Sequence, residues 1–139
     1  MNKQITTFEA KCASCGKTFE HPSLGPAYGE IMLCSTDGKH YSWASAFSEL
    51  PQKLNALLPG VSANIFWGAL AHFADPISGQ KLAAHIHCSH CASSNIELWE
   101  GKRIGVMSVP EASFHDASAL SAQELRLRVS TYSARVSNS

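Results

Sequence analysis

His85–Cys91, HIHCSHC, sets three histidines and two cysteines within seven residues. Its cysteines, Cys88 and Cys91, are separated by two residues, and the same C-x-x-C spacing occurs once more, at Cys12 and Cys15. The fifth cysteine, Cys34, stands alone. Secreted disulfide frameworks carry even numbers of cysteines scattered through short, loop-rich chains. Close pairs in a chain with an odd count read instead as metal ligands in a reducing compartment.

Working outward, KLAAHIHC (81–88) alternates, with Leu82, Ala84 and Ile86 on one side and His85 and His87 on the other, which predicts a strand leading into the second pair. Beyond it, SNIELWE and KRIGVMSV flank Gly101 and read as a hairpin, with Ile96, Leu98, Ile104, Val106 and Val109 as core candidates. The first pair lies in ITTFEAKCASCGKTFE (5–20). Ile5, Phe8 and Phe19 among threonines suit strands, and Cys15-Gly16 suits the turn between them. Both thiol pairs are thus expected at β-turns.

Between these outer portions, EIMLCS and HYSWA predict a second hairpin around Asp37-Gly38, with Cys34 in its first strand. Ala44–Leu58 is read as helical from the spacing of Phe47, Leu50, Leu54, Leu57 and Leu58, with Pro51 as a kink or a second start. Ser62 is a plausible N-cap for ANIFWGALAHFA, which Asp75-Pro76 ends. Near the end of the chain, SAQE (121–124) satisfies the capping-box pattern, and Leu125, Val129, Tyr132 and Val136 recur at helical spacing.

The expected fold is α+β, one domain over 1–139: knuckle hairpins at 5–20 and 82–109, an inserted hairpin and helices at 21–81, and an amphipathic helix at 121–137. A chain of 139 residues with 45% hydrophobic content suits a single core. Eleven basic residues balance eleven acidic ones, which counts against general nucleic-acid binding. No apolar run approaches the roughly 20 residues of a membrane helix, and the first residues lack a signal-peptide h-region. A cytoplasmic location is expected.

Structural zinc takes four thiolates or imidazoles in a tetrahedron, and two cysteines separated by two residues can both turn inward from one tight knuckle. Two knuckles close such a site, so the candidate ligands are Cys12, Cys15, Cys88 and Cys91 around one structural Zn²⁺. The 72 residues between Cys15 and Cys88 must fold as an insertion whose ends return to one place. Each knuckle is followed by a segment read as strand, and the two outer portions, around Phe8–Glu20 and Leu82–Val109, together resemble the halves of a zinc ribbon. By position the resemblance implies the same four ligands; it is to a fold motif and implies no activity.

Competing readings remain at this stage. CSHC could be a redox dithiol, its histidine favouring a thiolate, although no thioredoxin-like helix start follows. His85, His87 or His90 could replace a cysteine, or His85 and His87 could begin a second metal site; the preferred reading is that they are polar residues beside the metal. Cys34 is read as a buried small hydrophobe. Trp43, Trp67 and Trp99 are read as packing residues, with an interface role as the sharper alternative. The loop PSLGPAYG, with Tyr28 as a rigid contact residue, is a candidate recognition element beside the preferred reading of a structural connection, and Arg126, Arg128 and Arg135 with Lys102 and Arg103 are a candidate basic patch beside the preferred reading of a solvated helix face.

Four thiolates leave no position for water, and the deaminase, zincin, nucleophile-elbow and P-loop patterns are absent, so no enzyme is expected. By subtraction, the expected function is a non-catalytic zinc-stabilised module that binds another protein, as a regulatory, adaptor or toxin-neutralising (immunity-type) factor. The alternatives are a nucleic-acid-associated zinc ribbon and, behind it, a thiol oxidoreductase.

Overall fold

Strand β1 (Asn2–Cys12) organises one half of the molecule, and it does so by using both of its edges. In the computed structural model, which describes residues 2–25 and 29–137, the alternation of Ile5 and Thr7 carries one face of β1 into the interior. One edge pairs antiparallel with β2 (Thr18–Pro22), from Thr7 opposite Pro22 to Lys11 opposite Thr18, placing the first C-x-x-C in the turn between them. This is the expected first hairpin. Tyr28 lies outside the described residues.

The other edge of β1 departs from expectation. The segments read as a second outer hairpin, β6 (Ile96–Leu98) and β7 (Arg103–Pro110), do not pair with each other. Both run antiparallel to β1, β6 against Lys11–Cys12 and β7 against Asn2–Phe8, as one strand interrupted by an irregularity. Inside it Gly101 donates its N–H to the Glu9 carbonyl at 2.9 Å and His21 Nε2 donates to the Trp99 carbonyl. A Cβ at Gly101 would stand 3.0 Å from that Glu9 oxygen, so the bare backbone is needed for close approach rather than for a hairpin turn. The consequence reaches the core assignment. Val109 is buried, but Leu98, Ile104 and Val106 are exposed because the alternation of this strand turns them outward.

A second sheet orders β4 (Tyr41–Ser45), β3 (Glu30–Ser35) and β5 (Leu82–Ala83), with β3 central. The β3–β4 turn follows the Asp-Gly signal: Gly38 has φ +77°, and the Asp37 carboxylate accepts from Ser35 Oγ and the Lys39 N–H. The sheets meet where Trp43 bridges Glu111 and the Ala112 N–H donates to the Trp43 carbonyl at 2.7 Å. Ile5, Cys34, Tyr41, Trp43 and Val109 fill the seam, and Lys3 closes it by pairing with Glu30 above the Trp43 ring.

The expected strand over 82–88 shrinks to two residues. After Ala83 the chain leaves the sheet, and the His87 N–H donates to Cys34 Sγ at 3.4 Å rather than to a strand carbonyl. Staying in register with β3 would carry Cys88 away from Cys12.

Helices α1 (Glu49–Leu57), α2 (Ala63–Phe73), α3 (His115–Ser118) and α4 (Ala122–Ser137) complete an α+β fold. The first starts later than its apolar spacing suggested: Ala44 belongs to β4 and Phe47 is exposed. Pro51 sits in its first turn, where the missing N–H has no intrahelical partner to lose, so there is no kink. Ser62 caps α2 by accepting from the Ile65 N–H, and Ser121 and Glu124 exchange the reciprocal bonds of a capping box at α4. Leu50, Leu54, Leu70, Leu125 and Val129 pack with Leu33 and Leu82 into the main core, each such side chain contributing on the order of 2 kcal/mol. Among the described residues no helix is long and apolar enough to cross a membrane.

Candidate metal centre

The turn between β1 and β2 and the turn after residue 87 share one backbone design. In the first, the Cys12 N–H donates to the Lys17 carbonyl and the Gly16 N–H to the Cys12 carbonyl, each at 3.0 Å. In the second, the Cys88 N–H donates to the Ser93 carbonyl and the Ala92 N–H to the Cys88 carbonyl, each at 2.8 Å. Both turns pass through the left-handed region at the same relative position, Gly16 at φ +75° and Ala92 at φ +65°. A non-glycine residue there is strained by about 1 kcal/mol or more. That the second turn tolerates it shows how firmly its surroundings fix the loop.

These turns aim all four sulfurs at one point. Cys12 Sγ lies 3.6 Å from Cys91 Sγ and Cys15 Sγ lies 3.7 Å from Cys88 Sγ, and all four lie within 4.8 Å of one another. For arms of about 2.3 Å, the edge of a regular tetrahedron is about 3.8 Å. A disulfide would need about 2.05 Å, and all five cysteines are free thiols. The close approaches run between knuckles rather than within them, as expected of a shared centre.

Backbone N–H groups point at two of the sulfurs, Cys15 N–H toward Cys12 Sγ at 3.5 Å and His90 N–H toward Cys88 Sγ at 3.3 Å. Such donors favour thiolate over thiol. The Cys15 N–H leads the influences that pull Cys12 down to about 6, outweighing the effect of burial. The Ser93 N–H also favours a Cys91 thiolate, but burial and the sulfurs of Cys12, Cys15 and Cys88 push that thiol up to about 12. A bound dication is the species that would reconcile several thiolates at these distances.

Burial divides the four cysteines into an inner and an outer pair. Cys12 and Cys88 are fully buried beside Ala10 and Phe19, whereas Cys15 and Cys91 are exposed. The knuckles are also tied directly: the Ala13 N–H donates to the Asn95 carbonyl at 2.9 Å, and Ser14 and Ser93 share a hydroxyl hydrogen bond at 2.8 Å. These ties cross the whole insertion and left no signal in the sequence. Gly38 abuts the second knuckle so closely that a Cβ there would fall 2.5 Å from the carbonyl oxygens of His87 and Cys88.

The histidines stand around the thiols. His90 Nε2 donates to the Thr18 carbonyl at 3.0 Å, pinning the second knuckle to β2. His85 and His87 stack with ring centroids 5.0 Å apart, but among the described residues no third ligand-type side chain converges on them. Cys34 is buried outside the four-cysteine cluster, and loss of hydration pushes its thiol up to about 11, which disfavours the thiolate. Trp43 is buried and Trp67 packs against the main core, while Trp99 is 60% exposed. No known protein family, curated protein or solved structure matches the chain. The four-cysteine cluster, capable of holding a metal ion, is the chemically distinctive feature of the fold.

Proposed function

We propose that Cys12, Cys15, Cys88 and Cys91 hold one zinc ion in a closed, zinc-ribbon-like structural site, and that the chain acts by binding another protein as a regulatory, adaptor or toxin-neutralising factor. The sulfur spacing carries the first half. An all-thiolate tetrahedral set suits zinc, and four protein ligands leave no coordination position for a substrate. Neutral overall charge favours a protein partner over nucleic acid.

Support for a docking edge comes from β7. Apart from the bridge at Glu111, it pairs among the described residues only with β1. Ile104 and Val106 are 48% and 56% exposed along it, and Trp99 precedes it. An open strand edge of this kind accepts an extended segment of a partner by main-chain hydrogen bonding, with alternate side chains giving selectivity.

The test combines metal analysis with photocrosslinking in the native cell. We expect one zinc per chain, and a crosslinking residue at Val106 should trap a discrete protein partner that the same residue at Asn55, on the exposed side of α1, does not. Iron in place of zinc, or equal trapping from both positions, would refute the corresponding half of the proposal.

A further inference from the structure

A cleft of about 570 Å³ lies between the end of α2, the segment entering β5, and the outer side of α4. Its size falls within the usual range for small-molecule sites, and none of its lining residues belongs to the metal knuckles. Arg128 and Arg135 stand seven residues apart on α4, so they project from one face, and Lys81 approaches from the opposite wall. Among the described residues, none of the three forms an ion pair.

The acids lining the cleft do not cancel these charges. Both oxygens of Asp75 are engaged, accepting from Ser113 Oγ at 2.6 Å and from the N–H groups of His115 and Asp116 at 2.7 and 3.1 Å. That carboxylate keeps its charge but is held by donors at the start of α3, so with Asp116 two acids face three cations and the lining stays net positive. The wall beside the cations is aromatic: His72 lies tilted by 32° against Tyr132 with centroids 4.9 Å apart and meets Phe73 edge-on at 4.9 Å. Leu127, also lining the cleft, is 68% exposed. Unpaired cations beside an apolar, partly aromatic wall select a ligand that carries both a negative head and a flat body.

We infer that this cleft binds a small organic oxyanion, its carboxylate or phosphate held by Lys81, Arg128 and Arg135 and its apolar body resting on Tyr132 and Leu127. His72 reports occupancy. Packing removes water from its ring, and the positive fields of Arg135 and Lys81 add to this, holding the imidazole below its ordinary value. A bound anion offsets those fields and raises that value again. Arg128, Asp75 and Asp116 also line the site, and Glu124, one turn before Arg128 on α4, feels the Arg128 charge.

The zinc-loaded full chain would be titrated by two-dimensional NMR with phenyl phosphate and with benzoate, and with phenol as the uncharged control. At least one anion should give saturable shifts at His72, Thr131 and Tyr132 below about 10 mM, corresponding to at least ~3 kcal/mol of binding. The tighter of the two assigns the head group. Arg128→Gln and Arg135→Gln, both at exposed positions, should each weaken binding about tenfold without changing zinc content, and the midpoint of His72 titration should rise on saturation. No saturable shift with either anion, phenol binding as tightly as both, or glutamine variants that bind as the parent does would overturn the inference.

Discussion

Replacing Cys91 with serine removes one sulfur from the centre while disturbing little else. Cys91 is exposed, its side chain fills no part of the core, and the knuckle backbone is held by Cys88, Ala92 and Ser93. Structural zinc sites of this type bind with about 10–16 kcal/mol near neutral pH, or about 3 kcal/mol for each of four thiolates. Losing one share weakens zinc binding by roughly two orders of magnitude. Because that energy exists only in the folded state, the melting temperature should fall by about 10 °C, at about 3 °C per kcal/mol for a chain of this size. Competition with a chromophoric chelator measures the first quantity and calorimetry of the zinc-loaded protein the second. Cys34→Ser is the control: it changes a buried thiol outside the cluster, so it should cost packing stability while leaving zinc affinity unchanged. Parental zinc affinity in Cys91→Ser, or an equal loss in both variants, would refute the ligand assignment.

Three further outcomes are expected. Ala92→Gly should stabilise the zinc-loaded protein by about 1 kcal/mol in urea titration by relieving the left-handed backbone of the second knuckle, and Gly16→Ala should cost a similar amount at the equivalent position of the first. Asp75→Ala should cost about 1–2 kcal/mol by leaving the start of α3 uncapped. Burial works against the Asp75 carboxylate, but the Ser113 hydroxyl and the two N–H donors outweigh it and hold the group below its ordinary 3.8. Its contribution is therefore complete above that value and lost as pH falls through the lower folded one, so the gap between parent and variant should narrow in acid. Ser121→Ala should cost about 1 kcal/mol and speed amide exchange in the first turn of α4.

Features set by local chemistry were legible before any coordinates. The paired cysteine spacings, the Asp37-Gly38 turn, the Ser62 cap and the Ser121–Glu124 box each depend on residues a few positions apart, and each forms as read. Features set by distant partners were not. Ile104 and Val106 alternate with Met107 and Val109 in a way that fits a hairpin arm or a strand laid along β1, and pairing with β1 alone decides which side faces water. His85 and His87 keep the period of a strand although the chain has left the sheet, where the His87 N–H turns to Cys34 Sγ, a partner 53 positions away. Helix α3 has four residues and takes its cap from Asp75, forty positions away, so nothing within it announced a helix. For the candidate centre, the four cysteines that cluster were readable from spacing, whereas the ties through Asn95, Ser93 and Thr18 required the fold.

The contact between Gly38 and the second knuckle bears on whether the molecule can be dissected. The turn of the inserted hairpin rests against the peptide carbonyls of His87 and Cys88, so the second knuckle is shaped partly by a surface that the insertion supplies. A shortened chain joining residue 20 directly to residue 82 would keep the four clustered sulfurs yet lose the buttress that positions two of them. Adding a single methyl at Gly38 should reproduce much of that loss within the intact protein, coupling the second knuckle and the inserted hairpin into one cooperative unit.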